Sequence, residues 1–154
     1  MRGKHYGFTL IELLITLSIV AILVTVAAPN FSSMLQNNRL ATQTNLLIAD
    51  LNFARSESIK RNTTIHLSPS EDGWDSGWNI SIAGSDELLR STEISQQNIG
   101  VAPNNGDALT FTSGGNLDSQ TSCFAITDAH DDNHSRTVKI ETTGRVAITS
   151  EECV

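Results

Sequence analysis

The chain opens with an unbroken apolar run, passes into a helical stripe, and ends in short segments of alternating character. From Phe8 to Ala28 the only ionisable side chain is Glu12. A helix over that run reaches about 31 Å, the thickness of a bilayer's hydrocarbon core. Pro29 closes the run, and a proline there is expected to kink or loosen the helix. Residues 31–61 contain neither Gly nor Pro. Within them Leu40, Thr44, Leu47, Leu51, Ala54 and Ser58 fall within about 40° of one line at 100° per residue. That stripe predicts a helix continuing to about Arg61 and docking on its own domain. A second apolar set, Leu35, Leu46 and Phe53, falls about 130° away. It fits contact with another chain, or, for Phe53, a place under a loop.

After Arg61 the period changes to two. Thr63–Ser68, Trp78–Ala83, Leu88–Ser91, Leu109–Thr112, Ser122–Thr127, Arg136–Glu141 and Arg145–Thr149 are the expected strands. In Trp78-Asn79-Ile80-Ser81-Ile82 the apolar side chains take one face, as a half-buried antiparallel strand requires. Thr142-Thr143-Gly144 reads as a hairpin turn, with loops at Pro69–Gly77, Asn104–Asp107 and Ser113–Asn116. One long helix before many short strands is an α+β arrangement. The helix then divides into an apolar half, 8–28, and an amphipathic continuation, 29–61, ahead of a β-rich head, 62–154. About 90 residues is near the lower end for one domain.

Glu12 is the anomaly in this pattern. A charge within a membrane span costs at least about 2.5–3.5 kcal/mol, so it marks a functional position. A plain single-pass anchor would do better with Leu there. Gly7-Phe8-Thr9-Leu10-Ile11-Glu12-Leu13-Leu14, after a leader carrying Arg2 and Lys4, resembles the class III signal of type IV pilins and type II secretion pseudopilins. In a secretory signal peptide, cleavage follows the apolar region. The resemblance implies a cut before it, with 1–7 as the leader. Prepilin peptidase would cleave between Gly7 and Phe8 and methylate Phe8. The helix would stay on the mature chain as a transmembrane, later filament-core, segment, with Glu12 acting in assembly.

Charge and cysteines fit that reading. The formal net charge is −7, and loss of Arg2 and Lys4 leaves eight cations against 17 acidic residues, or −9. Such a surface repels nucleic acid unless its cations cluster. Arg2 and Lys4 place the N-terminal end of the span on the cytoplasmic side of a bacterial inner membrane, and the head in the periplasm. In that oxidising compartment two lone cysteines, Cys123 and Cys153, read as one disulfide pinning the C-terminal tail. Its loop is worth on the order of 3.5 kcal/mol by chain entropy. Free thiols suit export poorly, and two cysteines without nearby histidines make a poor zinc site.

The head narrows the family. Phe53-Ala54-Arg55-Ser56-Glu57-Ser58-Ile59-Lys60-Arg61, then Ile65-His66-Leu67-Ser68, Asp72-Gly73, Gly77-Trp78 and Gly144-Arg145 are similar to the GspH/FimT group of minor pilins and pseudopilins. The resemblance implies two antiparallel sheets packed on the helix. It also implies a low-copy structural subunit near a filament tip, whose partners are other pilins or pseudopilins.

No set of residues makes a catalytic site, and no cofactor is expected. Asp128-Ala129-His130-Asp131-Asp132-Asn133-His134 has metal-ligand types but reads as a solvated loop. Glu71, Asp72 and Asp75 surround Gly73-Trp74, with Trp74 either capping the core or meeting a partner. His66 alternates with Ile65 and Leu67 and falls on an outer face, without an acid or nucleophile beside it. There is no phosphate-binding loop and no dinucleotide fingerprint. Two alternatives to the filament subunit are a DNA-binding minor pilin and a membrane-anchored periplasmic enzyme. In the DNA-uptake branch the closing hairpin typically reads Gly-Arg-x-Arg. Here it is Gly144-Arg145-Val146-Ala147, so Arg145 remains for any phosphate contact and Ala147 replaces the second arginine. Lys139 and Arg136 on the preceding strand could partly compensate, against Asp131, Asp132, Glu141, Glu151 and Glu152 nearby.

Overall fold

A computed structural model describes residues 7–85, 87–94, 99–105, 108–128 and 131–153, apart from the side chains of 26, 28–30 and 131–134. Arg2, Lys4 and His130 therefore lie outside the described residues. The chain divides between Asn37 and Asn38 into two units.

One helix, α1 (Leu10–Arg61), supplies the whole of the first unit's regular structure and the first element of the second. Its start is a reciprocal capping box. The Glu12 amide donates to Thr9 Oγ1, and the Thr9 amide donates to Glu12 Oε2, each at 3.3 Å. Pro29 does not end the helix. Its other end is a Schellman motif built on Asn62, among the described residues the one non-glycine with positive φ, at 52°. The Asn62 amide donates to the Ile59 carbonyl and the Thr63 amide to the Ser58 carbonyl. Lys60 and Arg61 in the last turn oppose the negative end of the helix dipole.

In the first unit the apolar side chains of Leu10, Ile11, Leu13, Leu14, Ile15 and Leu17 are all exposed. Among the described residues no helix is long and apolar enough to cross a membrane. The described side chains of the apolar run break after Thr25, whereas the sequence carries the run to Ala28.

In the second unit the predicted stripe is the buried one. Leu40, Thr44, Leu47, Leu51, Ala54 and Ser58 are at most 1% exposed. The hydroxyls of Thr44 and Ser58 are satisfied by the carbonyls of Leu40 and Arg55, so their burial leaves no orphan donor. Against this stripe lie two four-stranded antiparallel sheets. The first runs β3 (Leu88–Glu93), β2 (Gly73–Ile82), β1 (Ile65–Ser70), β5 (Leu109–Phe111); the second runs β4 (Ile99–Pro103), β6 (Cys123–Asp128), β7 (Asp131–Ile140), β8 (Val146–Thr149). Inward alternation is strict where the core is tightest: Ile65 and Leu67, Trp78 and Ile80, Leu109 and Phe111, Phe124 and Ile126.

The sheets meet where β2 approaches β4. Trp74 packs edge-on against Phe124 with ring centroids 5.0 Å apart. One residue on, Asp75 Oδ1 accepts the Val101 amide at 2.7 Å. Trp74 therefore caps the core, and Asp75 belongs to the ladder rather than to a loop.

Three expectations about the strands need correction. Pro69–Gly77 is not one loop: β1 runs through Pro69, only Glu71 and Asp72 form the turn, and Gly73–Gly77 begins β2. Gly77 has φ 132°, and a Cβ there would fall on the Thr92 carbonyl, so this strand accepts a glycine where composition suggests a break. The strand Ile99–Pro103 was not expected, because Gly100 and Pro103 erase its alternation. The segment from Asp131 is strand β7 rather than loop, and the side chains of Asp131, Asp132 and His134 fall outside those described.

Candidate functional site

Two places carry the residues singled out in the sequence: the start of α1 and the outer side of the β7–β8 hairpin. At the first, Gly7, Phe8 and Thr9 precede the helix in no regular structure, and Phe8 is 82% exposed. Glu12 is exposed as well. Its Oε2 accepts from both the amide and the hydroxyl of Thr9 at 3.3 Å, long contacts that leave acceptor capacity free.

At the second, the turn closes through the Gly144 amide on the Glu141 carbonyl and the Glu141 amide on the Arg145 carbonyl. The Arg145 side chain is 72% exposed, with its guanidinium 3.9 Å from Glu141 Oε1. On β7, Lys139 pairs in register with Ala147 and with Cys123. Its Nζ sits 3.0 Å from Glu151 Oε2. That carboxylate arrives from the tail, which returns from β8 across β7 to the Cys123–Cys153 disulfide on β6. An open cleft of about 680 Å³ lies there, lined by Ser122, Cys123, Thr137, Lys139, Thr149 and the two tail glutamates. Both exposed cations of the hairpin thus face a carboxylate. His66 Nδ1 is 2.8 Å from Thr110 Oγ1 on β5, a neutral partner. Among the described residues no three metal-ligating side chains converge.

A model of the type II transport protein GspH matches residues 43–144, and one of the prokaryotic N-terminal methylation motif matches residues 2–28. The chain belongs to the GspH family. No curated protein matches it. Among solved structures, two crystal forms of the type IV minor pilin FimU from Pseudomonas aeruginosa strain PAO1 are similar to this GspH-family chain. One has 26% identity and a TM-score of 0.66 over 74% of this chain and 90% of FimU. The other has 27% identity and a TM-score of 0.62 over 71% and 92%.

The family-like helix end, Phe53–Arg61, carries Phe53 and Arg55, whose partners only the fold supplies, and Glu57, whose partners are local. Asp50, one turn before it, is 1% exposed. Its carboxylate accepts from Trp78 Nε1 at 2.8 Å, Thr92 Oγ1 at 2.6 Å and Arg90 Nη1 at 2.6 Å. Arg90 also covers Phe53, 3.8 Å from its ring centroid. Phe53 therefore lies under its own domain's strand. Arg55 donates through Nε to the Gly115 carbonyl at 3.0 Å and through Nη2 to the Thr143 carbonyl at 2.9 Å. Glu57 receives Arg61 at 2.6 Å and Lys60 at 3.3 Å. Those hydrogen bonds, Arg61's first, hold its carboxyl below the usual 4.5, and Glu57 in turn raises Arg61. Glu57 therefore favours the fold above its ordinary pKa, a contribution lost as pH falls through the depressed value.

Gly144 is structural in this GspH-family head. Its φ is 77°, and a Cβ would strike the Gly115 carbonyl and lie 2.9 Å from Arg55 Nε. Sequence reasoning missed Asp50, Arg55 and Asp75 as organisers. The one signal available was an acidic residue beside a buried helical stripe.

Proposed function

We propose that this chain is a minor pilin or pseudopilin: a low-copy, non-enzymatic structural subunit that initiates or caps a type IV pilus or a type II secretion pseudopilus. One observation carries the reading, namely a methylation motif over 2–28 joined by a single helix to a GspH head over 43–144. Prepilin peptidase would cut between Gly7 and Phe8 and methylate the new N-terminus at Phe8. The helix from Phe8 would hold the subunit in the inner membrane, with the head in the periplasm, until other pilins or pseudopilins take it up. Exposed apolar side chains along the first unit are consistent with a surface that lipid covers first and neighbouring helices later. The disulfide is consistent with an exported head.

Glu12 would serve the exchange between those two settings. In the free subunit Thr9 supplies its partners. In the filament the Phe8 amine of a neighbour would replace them, offsetting the penalty each charge suffers alone in an apolar medium. Mass spectrometry of chain recovered from cells with active prepilin peptidase tests the reading. The expected species begins with N-methyl-phenylalanine at position 8. An intact Met1 in such cells would overturn it.

A further inference from the structure

Within the head, α1 carries two charged side chains that flank its buried stripe. At 100° per residue, Asp50 lies about 70° to one side of the line through Leu40, Leu47, Leu51 and Ala54, and Arg55 lies about 70° to the other. Each is tied to a different sheet. Asp50 is held by Trp78 on β2 and by Arg90 and Thr92 on β3. Arg55 reaches the β5–β6 connection at Gly115 and the β7–β8 turn at Thr143. Gly144 makes the second clasp possible, since any Cβ would occupy the space of the Gly115 carbonyl and crowd the guanidinium.

Apolar packing turns the stripe inward but fixes the angle only within a sector, because the core also takes in part of the flank next to it. Leu46 and Phe53, on the second apolar line, also pack against the core, partly buried. Turning the helix would exchange one line for the other, and hydrophobic burial is non-directional. The three-residue link between Arg61 and Ile65 restrains sliding along the axis but not rotation about it. Hydrogen-bonded partners on both flanks admit only one angle. Fixing a registry is the best-attested use of buried polar groups.

We propose that Asp50 and Arg55 together set the rotational phase of α1 in the head, and so decide that Thr42, Asn45, Asn52 and Ser56 face outward, where they are exposed. On the filament reading, on which this clause alone rests, that is the side offered to neighbouring subunits.

The test uses the full-length oxidised protein in detergent micelles, with single cysteine probes at Asn52 and at Leu46. Pulse labelling with a thiol reagent should modify Asn52→Cys roughly tenfold faster than Leu46→Cys, because thiol reactivity follows exposure. With Asp50→Asn and Arg55→Lys combined, the helix turns toward its second apolar line, Leu46→Cys goes inward, and the ratio should rise several-fold while the head still melts cooperatively. Asp50→Asn withdraws the charge that orients Arg90, and a lysine cannot reach both carbonyls in Arg55's geometry. An unchanged ratio would overturn the proposal. So would a ratio that changes only together with loss of cooperative melting, which would reduce the two residues to ordinary stabilising contacts. No assembly enters this measurement, so a subunit that fails to join filaments with its ratio intact counts against the filament reading alone.

Discussion

Glu12 and Asp50 are carboxylates on the same helix, and the chain treats them in opposite ways. Asp50 is buried and receives three donors from two strands. Glu12 is exposed, and its two donors both belong to Thr9, three residues away. The surrounding surfaces differ in the same sense. Around Asp50 every large apolar side chain of the stripe is covered; around Glu12 none is. The head satisfies its buried charge with donors from distant strands, whereas in the N-terminal segment only Thr9 meets Glu12 and the apolar surface stays uncovered. On the proposed function the two would divide the labour between folding and assembly. Substituting the two carboxylates should separate these roles.

The largest effect is expected at Asp50. Asp50→Ala leaves the Trp78 indole N–H and the Thr92 hydroxyl without their acceptor and Arg90 without its partner. Breaking such a buried pair costs about 4 kcal/mol. Urea or thermal melts of the head should show that loss, whereas Glu12→Ala should leave the head transition where it was. Equal stability of the two variants would erase the distinction drawn above.

Next comes the tail. Cys153→Ser should lower head stability by about 3.5 kcal/mol on the chain-entropy account, since the bridge spans 30 residues. It should also release Ser150–Cys153 to proteases, because the tail's other described contacts are the exposed Lys139–Glu151 ion pair and the local Glu151 amide bond to Thr149 Oγ1. Limited proteolysis with and without reductant checks both statements on the native chain.

How much of this was legible before the fold was known depends on whether the partners were local. The stripe on α1 was legible because its six members repeat at helical spacing, and all six are buried. The Thr142–Gly144 turn was legible from its flanking alternation. Glu12 stood out only because its surroundings are apolar; its capping box with Thr9 was in plain view as a Thr-x-x-Glu spacing and went unread. Strand β4 was hidden because Gly100 and Pro103 mask a strand whose Ile99 and Val101 are nonetheless buried. Asp50 was hidden for a different reason. Its partners lie 28, 40 and 42 residues along the chain, and no local pattern joins a helix to strands that far away.

Assembly offers a sharper use of the capping box. Glu12→Ala removes both the charge and the cap, whereas Glu12→Gln keeps a cap-competent side chain and removes only the charge. If the carboxylate's role is to meet a neighbour's Phe8 amine, both variants should reach the membrane and both should fall roughly tenfold in recovery with sheared filaments, the loss of one charge pair in an apolar setting. Normal incorporation of the Gln variant, with loss in the Ala variant, would assign Glu12 to capping and remove the contrast with Asp50.

The smallest effect is the one expected to be absent. The sequence places Arg145 on the hairpin for a phosphate, with Lys139 and Arg136 as partial compensation and Ala147 where the uptake branch has a second arginine. The structure adds that Arg145 faces Glu141 and that Lys139, its diagonal neighbour on the outer face, faces Glu151. A phosphate would have to displace a carboxylate at each cation, and the chain's net charge opposes its approach. The intact protein should therefore give no shift of duplex DNA at physiological salt, where binding rests on neutralised phosphates. Glu141→Gln with Glu151→Gln frees both cations without touching the core. It should raise retention on a phosphate-rich column at low salt, an effect that vanishes as salt is added. Micromolar DNA binding by the unaltered chain, lost on Arg145→Ala, would instead place this head in the uptake branch and show that its charges are not all spent internally.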